Sequence, residues 1–330
     1  MRSLRGRTFV VGLASILALA ACGGGSDKGS SESGTGGLEK TTINVATLPI
    51  ADVAGLFIAE QKGFFKQEGL TIKTEMVQST GFALPKLQSG ATDVALGSYF
   101  TILSAVGNSG QQYRYVADGY QAKNEVFDIV VKKDSPIKSV KDLKGKKVAI
   151  PAPNSIGEMA VSNALRTAGL NPVPNTDVQM VPMAFPQVPA AIQNGTIDAG
   201  WLTEPFLTGA QKDLGIHSIQ DTMTGSMSDF PISGWAVTEN WAKKYPKTMA
   251  AFQRALLKGQ QVAAADRKAV EAVLPGYSGI KPEVAGVITL GIYPTSLNAT
   301  RIQRVADLML EFKYLKQKLD VNSLLVPLPQ

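Results

Sequence analysis

Small polar residues occur where predicted strands end and the next helices begin. Ser79, Thr80 and Gly81 precede one predicted helix, and Asn154 and Ser155 hold the equivalent place in the second half of the chain. Side chains of these types can cap the free backbone N–H groups of a helix start. The same N–H groups and the helix dipole can instead bind an anionic or acceptor group of a ligand. We expect ligand contacts at both places, and plain capping is the alternative.

Larger side chains stand in the neighbouring strand-to-helix loops. Ser98 and Tyr99 follow a predicted strand, and the tyrosine either contacts a solute or packs at the surface. Trp201 ends the matching strand of the second half and is either a ligand wall or core. Glu204 follows it, and its carboxylate either binds a donor group of a solute or complements the dipole of the helix that begins there.

Three further residues complete the predicted site. Trp235 covers the solute or packs beside a hinge. Pro49 and Ile50 lie in the first strand-to-helix loop and make that part of the site apolar. An apolar wall beside polar helix ends suits an organic solute better than nitrate, so we expect an organic ligand.

The residue types needed for catalysis or metal binding are scarce. His217 is the single histidine, Cys22 the single cysteine, and no Gly-x-Ser-x-Gly motif is present. A Ser-His-Asp triad would have to use His217, which lies in a predicted surface connection. One histidine and one cysteine make a His/Cys metal site improbable. We therefore predict no catalytic residue, no metal and no cofactor.

The first residues have the pattern of an export signal. Arg2, Arg5 and Arg7 precede an apolar run that is shorter than a membrane span and ends in Leu-Ala-Ala directly before Cys22. This ending resembles the bacterial lipobox, which implies cleavage before Cys22 and a lipid on its sulfur. We expect a signal peptide at 1–21, a lipidated flexible tether at 22–40, and anchoring at the outer face of the cytoplasmic membrane. An ordinary signal peptide with an incidental cysteine is the alternative.

Charge and composition give no sign of nucleic-acid binding. The formal net charge is +6, and three of the basic residues lie in the predicted signal peptide. Basic residues do not form a stripe with interleaved aromatic residues, so we expect no nucleic-acid partner.

The order of predicted elements indicates an α/β fold in two lobes, each a mainly parallel sheet flanked by helices. Strand and helix alternate from residue 43 onward, and residues 70–77 alternate as a half-buried strand should. The same order returns in the second half, with a strand predicted at 147–150 and a helix at 188–193. The sequence Leu-Gln-Ser-Gly-Ala-Thr-Asp that ends at Asp93 has a counterpart, Ile-Gln-Asn-Gly-Thr-Ile-Asp, that ends at Asp198. The tail from Ser233 is predicted to be mostly helical. Two such lobes leave a cleft between them as the natural ligand site.

Several segments resemble the sulfonate/nitrate/taurine type of ABC-transporter substrate-binding protein. The segments that carry the resemblance are residues 50–54, 58–70, 88–95, 139–149, 194–199 and 204–206. The resemblance implies a type II periplasmic-binding-protein fold with two crossovers, near 118–127 and 221–235. The implied division places 41–122 plus 236–330 in the first lobe and 123–235 in the second.

The same resemblance implies a function. A monomer would capture a small organic solute, sulfonate-like or a related nitrogen or sulfur compound, and deliver it to an ABC permease and its ATPase. A lipoprotein that reports a solute to a membrane receptor is an alternative. A surface enzyme related to thiamine-pyrimidine synthesis is a weaker one, because those relatives need a cysteine- and histidine-rich segment that this chain lacks.

Overall fold

The computed structural model describes residues 37–329, so the predicted signal peptide, Cys22 and most of the predicted tether lie outside the described residues. The strands of the described part, in chain order, are β1 (Thr42–Thr47), β2 (Thr71–Met76), β3 (Val94–Ser98), β4 (Tyr113–Gln121), β5 (Phe127–Val131), β6 (Lys147–Ile150), β7 (Gln179–Pro182), β8 (Ala199–Thr203), β9 (His217–Asp221) and β10 (Pro231–Thr238).

Helices cover the faces of the sheets and form most of the C-terminal part. They are α1 (Ala54–Gln61), α2 (Phe64–Gln67), α3 (Thr80–Ser89), α4 (Tyr99–Ser109), α5 (Ile156–Thr167), α6 (Val188–Gln193), α7 (Phe206–Leu214), α8 (Glu239–Lys244), α9 (Pro246–Ala265), α10 (Arg267–Ser278), α11 (Pro282–Ala285) and α12 (Ala299–Glu311). None of the helices within residues 37–329 is both long and apolar enough to cross a membrane.

The strands form two five-stranded sheets of matching topology. The first sheet has the order β2-β1-β3-β10-β4 and the second β7-β6-β8-β5-β9. In the first sheet β10 runs against its neighbours, and in the second β5 does so. Each of these antiparallel strands is the first strand that the chain forms after crossing from the other sheet. The predicted α/β fold of two lobes is therefore confirmed.

The repeated sequence pattern has one structural role in both lobes. The Asp93 carboxylate accepts a hydrogen bond from the backbone N–H of Asn44 at 2.9 Å, and the Asp93 N–H donates to the Asn44 carbonyl oxygen. Asp198 makes the same pair of bonds with Lys147, at the start of β6. Each aspartate directly precedes a parallel strand, β3 or β8, and joins its start to the neighbouring strand, β1 or β6. The repeated pattern therefore marks a strand connection rather than a ligand contact.

The C-terminal helices pack on the first lobe. Gly259 of α9 lies so close to α1 that a Cβ atom there would come within 2.0 Å of the Gly55 carbonyl oxygen. Phe65 and Phe252 bring their ring centroids to 5.4 Å in the same layer. Close backbone approach and interlocked rings make α9 part of the first lobe's core.

Two details of the elements differ from the predictions. The tail that was predicted to be mostly helical begins inside β10, because Trp235 and its neighbours are needed as a central strand of the first sheet. The predicted half-buried strand at 70–77 forms β2, but Met76 is 41% exposed. β2 lies at the sheet edge, where one face and one side meet solvent, and alternation alone could not reveal this position.

Candidate ligand-binding cavity between the lobes

A cavity lies between the two lobes, where strand ends and helix starts of both meet. It encloses about 550 Å³ of empty space, including its opening to solvent. Its lining is mixed, with apolar and aromatic side chains beside short polar ones. The lining residues are Leu48, Ile50, Asp52, Ser79, Thr80, Gly81, Leu96, Ser98, Thr101, Phe127, Pro151, Ala152, Pro153, Asn154, Ser155, Ile156, Phe185, Trp201, Thr203, Ile232 and Ser233.

The first lobe presents hydroxyl groups that have no partner. Ser79 precedes α3 and Ser98 precedes α4, yet neither side chain makes a capping hydrogen bond. Both hydroxyl oxygens are buried without a hydrogen-bond partner. Thr80 differs, because its hydroxyl accepts a hydrogen bond from the Ser98 backbone N–H at 2.9 Å. Buried polar groups are normally paired, so the two serines are suited to meet a ligand.

A buried carboxyl group also lines the cavity. Asp52 is 1% exposed, and its Oδ2 accepts a hydrogen bond from the Ser233 hydroxyl at 2.7 Å. Its Oδ1 has no partner. Burial raises the pKa of Asp52 to about 7, and the bond from Ser233 lowers it in part. At neutral pH this carboxyl group therefore lies close to its titration midpoint.

The second lobe supplies an aromatic wall. Phe127 of β5 stacks on Trp201 of β8 with ring centroids 5.1 Å apart, and Phe185 lies 6.0 Å from the same indole. The Trp201 Nε1–H donates to the Thr222 hydroxyl at 3.0 Å, and that hydroxyl donates to the Phe127 carbonyl. Thr222 follows β9 directly, so the aromatic wall is tied to the start of the second crossover.

The N-terminal end of α5, in the second lobe, is capped by residues of the same lobe. The Ser155 hydroxyl accepts a hydrogen bond from the Glu158 N–H at 3.3 Å and caps α5. Asn154 has a left-handed backbone, and its N–H donates to the Glu158 carboxylate. These two residues line the cavity, but their capping bonds are made within the lobe.

Hydrogen bonds join the two lobes on either side of the cavity. The Ala51 N–H of the first lobe donates to the Glu204 carbonyl oxygen at 3.1 Å. The Thr101 hydroxyl of α4 donates to the Asn154 carbonyl oxygen at 3.3 Å. The lobes are therefore in contact around the cavity.

Eight of the twelve residues predicted as ligand contacts line the cavity: Ile50, Ser79, Thr80, Gly81, Ser98, Asn154, Ser155 and Trp201. The other four lie elsewhere. Pro49 lies between the lining residues Leu48 and Ile50 but does not line the cavity itself. Tyr99 is fully buried, with its ring centroid 4.8 Å from that of Tyr115. Trp235 is fully buried and packs edge-on against Phe252, in the core between the first sheet and α9.

Glu204 lies outside the lining, and protein groups surround its carboxylate. Its carboxylate accepts hydrogen bonds from the Thr208 N–H at 3.1 Å and the Thr208 hydroxyl at 2.6 Å, in the first turn of α7. It also accepts from the Thr289 N–H at 3.1 Å. Burial raises the pKa of Glu204, and these donors lower it in part. The carboxylate is thus occupied by protein groups and joins the second lobe to the C-terminal part.

Four prominent lining residues were not predicted: Asp52, Phe127, Phe185 and Ser233. Asp52 stands three residues beyond Pro49, in a loop that predicts an apolar part of the site. An acidic residue directly after an apolar run is the sequence signal that indicates a polar contact there. Ser233 belongs to β10, a strand that begins where the sequence predicts a mostly helical tail. Phe127 and Phe185 carry no local sign of their position.

Among the cavity's lining residues within 37–329, Asp52 alone has an ionisable side chain. In the same range no cluster of three or more His, Cys, Asp or Glu residues is arranged to hold a metal ion. The cavity therefore offers hydroxyl groups, one carboxyl group and aromatic faces to a ligand.

Comparisons with known proteins agree with this architecture. The model of the NMT1-like family matches residues 36–274. The chain is 24% identical to the nitrate/nitrite binding protein NrtA of Nostoc over 68% of its own length, and it spans about half (54%) of that relative. It is 26% identical to the taurine-binding periplasmic protein of Escherichia coli, over 68% of this chain and 67% of that protein.

A solved structure confirms the fold. The periplasmic aliphatic sulphonate binding protein SsuA of Escherichia coli superimposes with a TM-score of 0.66 at 22% identity, over 86% of this chain and 97% of that one. The resemblance to nitrate-, taurine- and sulfonate-binding proteins that the sequence predicted is confirmed.

Proposed function

We propose that this chain, which belongs to the NMT1-like family, is the solute-binding subunit of an ABC importer. It captures a small organic solute in the cavity between its lobes and delivers the solute to a permease and its ATPase. The observation that carries the proposal is a cavity between two lobes where buried polar atoms of Asp52, Ser79, Ser98 and Thr203 have no partner. Polar atoms that no protein group pairs can form hydrogen bonds with a bound ligand.

The two lobes contribute different parts of the capture. The first lobe offers the unpaired hydroxyl groups of Ser79 and Ser98. The second lobe offers the aromatic wall around Trp201, while its own helix start is capped by Ser155. A solute first binds the polar surface of the first lobe, and the second lobe then closes its aromatic wall over it. Ligand contacts on both lobes favour the closed arrangement.

The solute is organic. Aromatic side chains and Ile50, Leu48 and Ile232 line much of the cavity, and nitrate has no apolar surface to place against them. Competition binding tests this point. Saturable binding of nitrate that no organic compound displaces would contradict it.

A ligand screen tests capture itself. Purified protein is screened by thermal shift and native mass spectrometry against sulfonates, amines, pyrimidines and flavins. We expect at least one class to bind with a dissociation constant near micromolar, about −8 kcal/mol. Ser79→Ala should weaken that binding, and Ser89→Ala at the exposed end of the same helix serves as the matched control. Equal binding by both variants would contradict the proposal that the solute binds in this cavity.

Delivery to a transporter is tested in cells. Deletion of the gene should abolish uptake of the solute that the screen identifies, and the wild-type gene should restore it. Normal uptake after deletion would favour the sensor interpretation. We propose that the protein acts as a monomer, and light scattering coupled to gel filtration measures this directly.

We also propose that the body is held at the outer face of the cytoplasmic membrane by a lipid on Cys22. The support is the sequence alone, since Cys22 lies outside the described residues. Metabolic labelling with a radioactive fatty acid should label the wild-type protein and leave Cys22→Ser unlabelled. Equal labelling of both proteins, or of neither, would refute the anchor.

A further inference from the structure

We propose that the solute presents an N–H donor group to Asp52, carried on a flat body that lies against the aromatic wall formed by Phe127, Phe185 and Trp201. Suitable chemistry is an amine, amidine or ring N–H on a planar compound. A bare oxyanion carries no donor and therefore does not satisfy the ionised form of Asp52. This inference deepens the proposed function and rests on it, because it concerns the same cavity.

The first step is the unpaired oxygen of Asp52. Oδ2 is held by Ser233, while Oδ1 is buried in the lining without a donor. A carboxylate oxygen only accepts hydrogen bonds, so a ligand that satisfies Oδ1 of the ionised group must bring a donor. No protein group among the described residues donates to Oδ1, so this oxygen is open to a donor in the cavity.

The second step is the charge of the cavity. Its lining within the described residues contains no Lys, Arg or His, and its one ionisable group is acidic. The starts of α3 and α4 carry partial positive charge and suit an acceptor group of the solute. They do not supply a donor to Asp52. An oxyanion held at those helix starts would leave Oδ1 unpaired and would face a carboxylate.

The third step is the shape of the second lobe's surface. Phe127 and Trp201 stack on each other with an interplanar angle of 17°, so a planar compound can extend this stack at an outer ring face. Planar compounds stack on such rings, and a cation gains further attraction from the electron-rich faces. A flat donor-bearing solute is therefore favoured by the aromatic wall and by Asp52 together.

The titration of Asp52 predicts the direction in which ligand affinity changes with pH. Its carboxyl group is ionised above about pH 7 and protonated below it. Donor binding should strengthen as the pH rises through this region, and oxyanion binding should weaken. The titratable groups packed around Asp52 are Tyr120, Tyr277, Tyr293 and Glu204, with Arg267 beyond them. Burial keeps the three tyrosines neutral across this range, and Glu204 is controlled for by comparison with Asp52→Asn.

The experiment uses two probes with the same ring and opposite charge, benzamidine and benzenesulfonate. Isothermal titration measures both between pH 5.5 and 8.5 on the full-length wild-type protein and Asp52→Asn. Asparagine keeps an oxygen that accepts from Ser233, so the fold should be retained. Asp128→Asn is the matched control, since Asp128 is also a buried acid with a raised pKa but lies outside the lining.

We expect benzamidine to bind wild type at least about tenfold more tightly than benzenesulfonate, and about tenfold more tightly at pH 8 than at pH 6. Asp52→Asn should lose about tenfold for benzamidine and lose its pH dependence, whereas benzenesulfonate should bind the variant as well or better. Asp128→Asn should behave as wild type.

Tighter binding of benzenesulfonate, or affinity for it that falls in Asp52→Asn, overturns the inference and leaves capture of a small solute intact. Failure of both probes to bind also overturns the inference as stated. The proposed function then depends on the wider ligand screen, which fails separately if no compound stabilises the protein.

Discussion

The serines at the two helix starts show how one residue type serves different ends. Ser79 and Ser155 each precede a helix, and the expectation that their loops are equivalent is wrong. Ser79 follows β2, whereas Ser155 follows β6, which occupies the place of β1 in the second sheet. In the structure Ser155 caps α5, whereas the hydroxyl of Ser79 is unpaired beside the cavity. The difference lies in which neighbouring group each hydroxyl meets.

Alanine at these two positions should therefore separate stability from binding. Ser155→Ala should lower the free energy of unfolding by about 1 kcal/mol, because it removes a helix cap. Ser79→Ala should leave stability unchanged within about 0.5 kcal/mol and should weaken ligand binding several-fold. Urea unfolding and titration with the screened solute measure both quantities. The reverse pattern would show that Ser79 is the structural residue.

Asp52 should make the empty protein less stable as the pH rises. Its folded pKa of about 7 lies above the ordinary value of 3.8, so the folded state retains a proton that the unfolded state has lost. Stability therefore falls between about pH 4 and pH 7 and then levels off. Asp52→Asn should lack this component and should be more stable than wild type at pH 8, by on the order of 2–4 kcal/mol. Parallel stability curves for the two proteins would contradict the assignment.

At the scale of elements, the aspartates after the repeated glycines hold the strand connections. Asp93 accepts from the Asn44 N–H, from Lys40 and from the Trp241 Nε1–H. Asp198 accepts from the Lys147 N–H. The two positions correspond in the repeat, but Asp93 also ties the first strand to α8.

Removal of the carboxylate should expose this difference. Asp93→Ala should cost about 2–4 kcal/mol, because it leaves the buried indole N–H unpaired and removes a partly buried ion pair. Asp198→Ala, at the more exposed position, should cost about 1 kcal/mol. Denaturant unfolding of the two variants gives the comparison. A larger loss at Asp198 would show that the shared backbone bond, and not the added partners, dominates.

The alternation of elements made the lobes predictable, and long-range packing limited the rest. Strand β6 and helix α6 have the predicted bounds, Lys147–Ile150 and Val188–Gln193, because turn residues flank short apolar runs. Strand β10 was not predicted, because its apolar run forms a strand through long-range pairing with β3 and β4. Because this pairing is not visible in the sequence, Trp235 was expected to contact a ligand, and Phe127 and Asp52 were not predicted as lining residues.

At the scale of the whole molecule, the cavity depends on contacts between the lobes. Glu204 is central to them, because its carbonyl accepts from Ala51 of the first lobe and its carboxylate accepts from Thr289. Its side chain also holds the first turn of α7 through Thr208. The residue lies outside the lining, so its effect on binding should operate through the position of the second lobe.

Glu204→Ala should therefore weaken binding without a change of ligand preference. Loss of the carboxylate bonds to Thr208 and Thr289 should cost about 2–3 kcal/mol and raise the population of open molecules. An apparent dissociation constant scales inversely with the fraction of competent molecules, so every ligand should lose affinity by the same factor. Small-angle scattering should report a larger radius of gyration for the empty variant, and excess ligand should reduce it to the wild-type value. Thr208→Val is the control, since it keeps the Thr289 contact and should preserve the wild-type radius. A Glu204→Ala protein with unchanged scattering but altered preference among ligands would instead place the carboxylate in direct contact with the solute.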